Sequence, residues 1–295
     1  MVKIKILKET EEKIQILLSK TDRSFANALR RSLISDTPKM AIDSVTFQLG
    51  TKEQDEEIWE TTGPIPDEMI AQRLAMIPIP TVHDKFHFQD ECPNCKDVVE
   101  EERGCVECQM IYTCVVFGSE EGRWVTAGDM KYLGEGSLEI PDEYKSIPIT
   151  KLLKGQMIEF YATAIMGRGR EHTKWSPVCG VSFHPRRIGV MNNKRKSKIL
   201  WDMDLEINAK DFDKDGKLKD IDKVAILVDE LNHVGEGTEA SREFSDAVTL
   251  EEVSGEFILE FETDGSMGPK VAFMKAVEEL AGRFGSLEQD LATAL

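Results

Sequence analysis

Phe25-Ala26-Asn27-Ala28-Leu29-Arg30-Arg31-Ser32-Leu33, followed after four residues by Pro38-Lys39-Met40-Ala41-Ile42-Asp43, is the stretch on which the reading of this chain turns. Phe25, Ala28, Leu29 and Leu33 recur at helical spacing and form one apolar stripe, while Arg30 and Arg31 fall on the opposite face. Thr21 or Asp22 is placed to cap this helix, because a short side-chain oxygen there accepts the orphan N–H groups of the first turn. Pro38 stops it. Beyond the proline, residues 41–49 alternate apolar and polar, which predicts a strand with Ile42, Val45 and Phe47 toward a core.

Toward the N-terminus, Val2, Ile4 and Ile6 alternate with lysines, and Ile14, Ile16 and Leu18 alternate with polar residues. The polar run Lys8-Glu9-Thr10-Glu11-Glu12 lies between them, so the segment predicts a β-hairpin with one apolar face. Toward the C-terminus, Phe257, Leu259 and Phe261 predict a strand, Asp264-Gly265 a turn, and Gly268-Pro269 a helix start with proline near its first position. Val271, Met274, Val277, Ala281 and Phe284 then form a helical stripe that Phe273 and Leu280 widen. Residues 287–295 either extend this helix or fray. Both helical stripes are wide enough to need cover, from the chain's own sheet or from a partner.

The middle of the chain reads as mostly β. Residues 51–62 are acidic and polar, Gly63-Pro64-Ile65-Pro66 punctuates the chain, and residues 67–76 carry a short helical pattern. Strand-like runs follow at residues 112–117, at Trp124-Val125 and at residues 157–165, and Gly167-Arg168-Gly169-Arg170 breaks the last of them. Residues 184–249 mix a basic run, an Asp-rich turn, an apolar stretch at 224–228 and a polar loop at 235–238, which predicts a small α/β segment. The sum is an α+β chain.

Composition narrows the function. With 54 acidic against 37 basic residues, the net charge of −17 sets up a field that repels phosphates, so autonomous nucleic-acid binding is not expected. No stretch approaches the roughly 18 apolar residues of a membrane span, and the first residues lack a signal-peptide core, which predicts a cytoplasmic protein.

Five of the six cysteines lie between Cys92 and Cys114, too close together to staple distant parts of the chain. Cys92-Pro93-Asn94-Cys95 and Cys105-Val106-Glu107-Cys108 are two CxxC knuckles separated by nine residues. Each knuckle turns two thiolates toward one ion, so Cys92, Cys95, Cys105 and Cys108 predict a closed, structural zinc site with no open position for a catalytic water. Cys114 is close enough to replace a ligand or to favour an iron-sulphur cluster, and otherwise is a core residue. His83 and His87, four residues apart near the first knuckle, are minor alternatives as ligands.

Other motifs are weaker. Residues 211–222 resemble a calcium loop, with Gly216 at its sixth position, but Lys219 and Asp222 stand at positions nine and twelve, where the motif places a water-bridging ligand and a bidentate Glu. A surface turn explains them, and calcium is not expected. Gly167-Arg168-Gly169 is a fragment of a dinucleotide signature without its third glycine. Cys179 has no base beside it in sequence, and no catalytic constellation assembles.

The opening stretch closely resembles the signature of the α-like RNA polymerase subunits, in particular their archaeal members. Three further segments agree in order: Asp67-Glu68-Met69-Ile70-Ala71-Gln72-Arg73-Leu74-Ala75-Met76-Ile77-Pro78, then Gly167-Arg168-Gly169-Arg170-Glu171-His172-Thr173-Lys174-Trp175-Ser176-Pro177, then the terminal strand and helix. The resemblance implies a discontinuous dimerisation domain at 1–45 and 250–295, an insert domain at 46–183 with its metal loop at 90–115, and the small α/β segment at 184–249. It implies a scaffold that pairs with a small α-like subunit, called L in archaea. The pair then recruits the large catalytic subunits and other small assembly subunits, and meets DNA only through the complex. On this resemblance the dimer interface comprises Phe25, Leu29, Leu33, Phe273, Met274 and Val277, and Arg30, Arg31 and Arg73 face a large subunit. Lys174-Trp175 joins that contact or the insert core.

Many archaeal members carry a ferredoxin-like domain with iron-sulphur cysteines before the terminal strand, whereas residues 180–295 here contain no cysteine. That cluster cannot form, and residues 184–249 are expected to be a degenerate version of the domain. The knuckles match instead the zinc loop in the insert of the eukaryotic members. The competing classes are a free-standing zinc- or calcium-responsive module and, with least support, a hydrolase using Cys114 or Cys179.

Overall fold

The computed structural model describes residues 2–54, 56–136, 138–196, 207–234 and 237–294. The expected hairpin is present as β1 (Lys3–Glu9) and β2 (Lys13–Ser19). Its two arms differ: Ile14, Ile16 and Leu18 are buried, whereas Ile4 and Ile6 are exposed because β1 is the edge strand of its sheet. The helix α1 (Arg23–Ser35) follows. Asp22 is its cap, its Oδ1 accepting the Phe25 N–H at 2.8 Å. At the other end the N–H groups of Asp36 and Thr37 both donate to the Ser32 carbonyl, closing the helix three residues before Pro38. Pro38 instead opens β3 (Pro38–Phe47), a first position where its missing N–H breaks no ladder bond.

A small two-stranded hairpin, β4 (Thr51–Gln54) and β5 (Glu57–Glu60), precedes α2 (Asp67–Ala75). Asp67 and Glu68 in the first turn of α2 and Arg73 in the last complement its dipole, and Ile70 and Leu74 are its buried face. After the cysteine loop come β6 (Gln109–Phe117), β7 (Arg123–Thr126), β8 (Lys131–Tyr132), β9 (Pro148–Leu152) and β10 (Met157–Arg168). The strand β11 (Val178–Met191) leads to β12 (Lys217–Leu218), α3 (Ile221–Val234) and α4 (Glu239–Ala247). The chain ends with β13 (Val248–Thr263) and α5 (Pro269–Ala294), so residues 287–294 extend the last helix. Within the segment 184–249, residues 197–206 and part of the loop at 235–238 lie outside the described residues.

A five-stranded sheet has the order β1-β2-β13-β11-β12, and a four-stranded antiparallel sheet the order β3-β10-β6-β8. Two strand pairs, β4-β5 and β7-β9, complete the sheets among the described residues. The fold is thus a mixed α+β architecture. By internal contacts the chain divides into one unit of Met1–Leu7, Gln15–Asn27 and Ser182–Leu259 and another of Lys8–Ile14, Ala28–Val181 and Glu260–Leu295. In the first, Leu218, Val224, Leu227, Phe244, Ala247 and Val248 are buried together, which gives the α/β segment its own core.

The second unit buries a larger core around the four-stranded sheet, with Met40, Ile42, Leu74, Tyr112, Phe160 and Ala162 at its centre. Val45 and Phe47 pack against it half-buried. Phe160 sits opposite both Phe47 and Cys114 in the ladder, so Cys114 is a core residue of β6. The glycines of the 167–170 motif have a steric purpose in this unit. A Cβ on Gly167 would lie 2.4 Å from the Trp175 indole, and one on Gly169 would lie 2.0 Å from the Ile34 carbonyl oxygen. They let β10 and its exit touch the Trp175 ring and the end of α1, which is a packing role.

Candidate metal centre and interaction face

The two knuckles occupy the loop between α2 and β6, and each is a tight backbone turn. The N–H groups of Cys95 and Lys96 donate to the Cys92 carbonyl, and those of Cys108 and Gln109 to the Cys105 carbonyl. These turns aim all four sulphurs at one point. The Sγ separations are 3.5 Å for Cys92 and Cys105, 3.7 Å for Cys105 and Cys108, and 3.7 Å for Cys95 and Cys108. All four lie within 4.8 Å of one another. Thiolates about 2.3 Å from a tetrahedral ion sit about 3.8 Å apart, so the donor set fits a single ion such as zinc. An iron-sulphur cluster spreads its thiolates over separate irons and fits this packing less well.

Cys92, Cys95 and Cys108 are buried, and Cys105 is half-buried. Burial pushes the thiols of Cys92 and Cys108 up. Burial also raises Cys105, but hydrogen bonds from the Glu107 backbone and from Cys92, Cys95 and Cys108 outweigh it and bring that thiol down to about 7. A cation is what stabilises four thiolates at such close range.

Among the described residues, neither His83, His87 nor Cys114 belongs to this group. His83 Nε2 lies 2.9 Å from the Pro38 carbonyl, and the His87 backbone N–H donates to the Glu107 carbonyl, which ties the second knuckle to the chain before the first. Cys114 is held up to about 12 by burial and by the nearby Asp129 charge, and Cys179 is exposed. The Asp-rich segment is a braced turn: Asp213 Oδ1 accepts the N–H groups of Asp215 and Lys217, while Lys219 and Lys223 pair with Asp213 and Asp211.

The interface residues named from sequence separate by burial. Leu29, Leu33 and Phe273 are buried within the chain itself, Phe25 and Val277 are half-buried, and Met274 is 61% exposed. Along α5 the buried residues are Pro269, Ala272, Phe273 and Ala276 in its first turns; Val271 and Met274 are exposed on the other side of those turns, and Phe284, Leu287 and Leu291 are exposed further along, on the line of Phe273. Arg31 is exposed and Arg30 half-buried. Arg73 is exposed on α2, with its Nη1 donating to the Ile149 carbonyl at 2.7 Å.

Several residues that organise this face were not singled out from sequence. The Asp36 carboxylate is buried beneath Arg283, and Arg168 stands 4.0 Å over the Phe88 ring while pairing with Glu279 at 3.3 Å. Lys39, almost fully buried, donates to Asp264 and to the Lys174 carbonyl. Lys174 in turn pairs with Asp43 at 2.7 Å and lies 4.2 Å over Trp175, so Lys174-Trp175 is buried in this network. Charged residues flanked by apolar ones, as Lys39 is by Pro38 and Met40, were the available signal.

Comparison with known proteins agrees with this arrangement. Residues 15–284 match the RNA polymerase Rpb3/Rpb11 dimerisation domain. The DNA-directed RNA polymerase subunit Rpo3 of Thermoplasma volcanium is 30% identical over 98% of this chain and 99% of its own length. That of Pyrococcus horikoshii is 36% identical over 60% of this chain and 57% of its own. The DNA-directed RNA polymerase II subunit rpb3 of Dictyostelium discoideum is 34% identical over 66% and 62%. With a family model covering most of the chain and a relative matched end to end, the chain belongs to the RNA polymerase Rpb3/Rpb11 family of α-like assembly subunits.

Proposed function

We propose that this chain is the larger partner of an α-like heterodimer, the platform on which an archaeal-type RNA polymerase assembles. The observation that carries the reading is the set of exposed apolar residues along α5. Met274 and Phe284 are each 61% exposed, and Leu287 and Leu291 are exposed further along the helix, beyond Ala276, where none of its described residues is buried. A water-facing run of this size is unfavourable in isolation and is expected to be covered. The family's small α-like subunit, L in archaea, is the proposed cover. The proposed contact residues are Met274 and Val277, exposed or half-buried, and the half-buried Phe25, while Leu29, Leu33 and Phe273 are buried within the chain. The discontinuous domain at 1–45 and 250–295 is the proposed unit of pairing, and the exposed Ile4 and Ile6 are further candidates for it.

Arg31, with Arg30 and Arg73, is proposed to meet the large catalytic subunits, whose chemistry the chain itself does not supply. Zinc is the proposed ion at the four cysteines, acting as a staple of the insert loop: it would hold both knuckles and replace a hydrophobic core that this loop lacks. The test is co-expression with and without the small α-like subunit, followed by light scattering on the eluted species. A stable one-to-one complex is expected, together with aggregation or self-association of the chain alone. A soluble monomer indifferent to the partner would refute the reading.

A further inference from the structure

The last helix is held to the rest of its unit by charges as well as by packing, and the two carry different information. In its first turns Ala272, Phe273 and Ala276 are buried, with Ala276 against Ser32. Further along, two ion pairs fasten it. Glu279 meets Arg168 at 3.3 Å, and Arg283 meets Asp36, whose side chain is only 4% exposed. Arg168 is itself placed by the Phe88 ring beneath its guanidinium. Glu279 and Arg283 are four residues apart and therefore lie on one face of the helix.

Packing alone leaves the register of this helix open. If α5 moves one turn, about 5.4 Å, toward its C-terminal end, Ala272 takes the place of Ala276 and Phe273 that of Val277. An alanine still meets Ser32, and an apolar side chain still fills the next position. The loop ahead is tethered, with Asp264 held by Lys39 and the Ser266 carbonyl by the Thr81 N–H. Met267, Gly268 and the first helical turn are the length that absorbs such a shift. A move of one turn the other way brings Leu280 against Ser32, and that larger side chain overpacks the crossing.

The charges discriminate where packing does not. In the first shifted register Lys275 stands opposite Arg168 and Glu279 opposite Asp36. Both ion pairs become like-charge contacts, one of them at a buried carboxylate. In the reverse register Arg283 stands opposite Arg168, and Asp36 faces Leu287. Of these three registers, the observed one alone sets opposite charges together at both positions.

We propose that the pairs Arg168 with Glu279 and Asp36 with Arg283 form a register lock, which fixes where along its axis α5 sits. The lock thereby decides where Met274, Val277 and Phe284 stand for a partner. This consequence for pairing rests on the platform reading, whereas the lock itself belongs to the chain. All four charged residues are positioning residues.

Register is read as the distance between two spin labels, one on the exposed Cys179 of the zinc-loaded chain and one on Ser286→Cys. Double electron–electron resonance is measured on the full chain paired with its small subunit. The parent is expected to give one narrow distance. Glu279→Arg sets two cations together in the observed register and offers Asp36 a cation in the first shifted one. It is expected to add a second, displaced distance and to weaken pairing roughly tenfold. Adding Arg168→Glu to Glu279→Arg is expected to restore both the distance and the pairing. Arg168→Ala with Glu279→Ala removes the pair without repulsion, and is expected to broaden the distance while the melting temperature stays within a few degrees of the parent.

A single parent-like distance in Glu279→Arg overturns the proposal, and so does a failure of Arg168→Glu to restore it. If Glu279→Arg does not fold, the double alanine variant decides, and an unbroadened distance there overturns the lock equally. Failure of the platform reading appears separately, as a parent chain that does not pair, and the same distances are then read on the chain alone.

Discussion

The Ser32 hydroxyl donates a 2.8 Å hydrogen bond to the Ala276 carbonyl, joining α1 to α5 across 244 residues of sequence. Both residues are buried, and a serine and an alanine at this crossing let the two backbones approach closely. Ser32→Ala removes one buried hydrogen bond and is expected to cost about 1 kcal/mol. Ser32→Leu forces the helices apart and is expected to cost about 3 kcal/mol or more. Urea unfolding of the two variants checks the order: equal stabilities would mean that the close approach contributes nothing.

Buried and exposed positions of α5 are expected to respond differently to the same charge. Ala276→Asp places a carboxylate in a buried contact and is expected to destabilise the chain by more than about 3 kcal/mol. Met274→Asp and Phe284→Asp fall on exposed positions and are expected to leave the chain's own melting temperature within a few degrees. In the proposed heterodimer the latter pair would lose partner binding. Calorimetry of the chain and size-exclusion of the pair separate the two effects, and full pairing by Phe284→Asp would remove that residue from the interface.

Thiol reactivity reads the metal centre directly. In the zinc-loaded protein, alkylation near pH 8 is expected to modify Cys179 alone, because it is exposed while Cys114 is buried and held up to about 12. Chelation is expected to release the other four thiols and to loosen the loop without dissociating a partner held by the chain's ends. Cys95→Ser or Cys108→Ser is expected to lower the zinc content. Full zinc stoichiometry in both variants would contradict the ligand assignment.

His83 makes stability pH-dependent in a defined direction. Burial holds its pKa below the usual 6.5, so the folded state carries the neutral ring and the unfolded state takes up the proton first. Its contribution is therefore complete above pH 6.5 and is lost as the pH falls from there toward the lower folded value. His83→Gln is expected to flatten the stability profile across that window, measured against the parent protein at equal zinc loading. An unchanged slope would mean that burial of the ring is not what the acid side of the profile reports.

Much of this architecture was legible from local pattern. The second arm of the hairpin, α1, α2, β6, β10, the terminal strand and the start of the terminal helix all repeat their apolar residues at a single period, since each buries one face. The knuckles were legible because metal ligation depends on short-range spacing. The long strand β11 was not. Most of its residues are half-buried on both faces, Pro185 interrupts it, and Arg186 pairs with Glu256 on the neighbouring strand, so no alternation marks it. The cap illustrates the same divide on a smaller scale: Thr21 and Asp22 were equivalent in sequence, and only backbone direction selected Asp22.

Sequence alone thus determined most of the element types, the four-cysteine cluster and the family, because propensity, periodicity and motif spacing act over a few residues. Tertiary structure decided which apolar side chains remain in water. Leu29, Leu33 and Phe273 turned inward while Met274, Phe284 and Val106 did not, although all six are equally apolar on paper. It also decided which charges are structural, since Lys39, Asp36 and Lys174 find the ion-pair partners given above on segments more than a hundred residues away. Burial and ion pairing depend on what distant chain segments bring to a position, and that is settled only when the chain has folded.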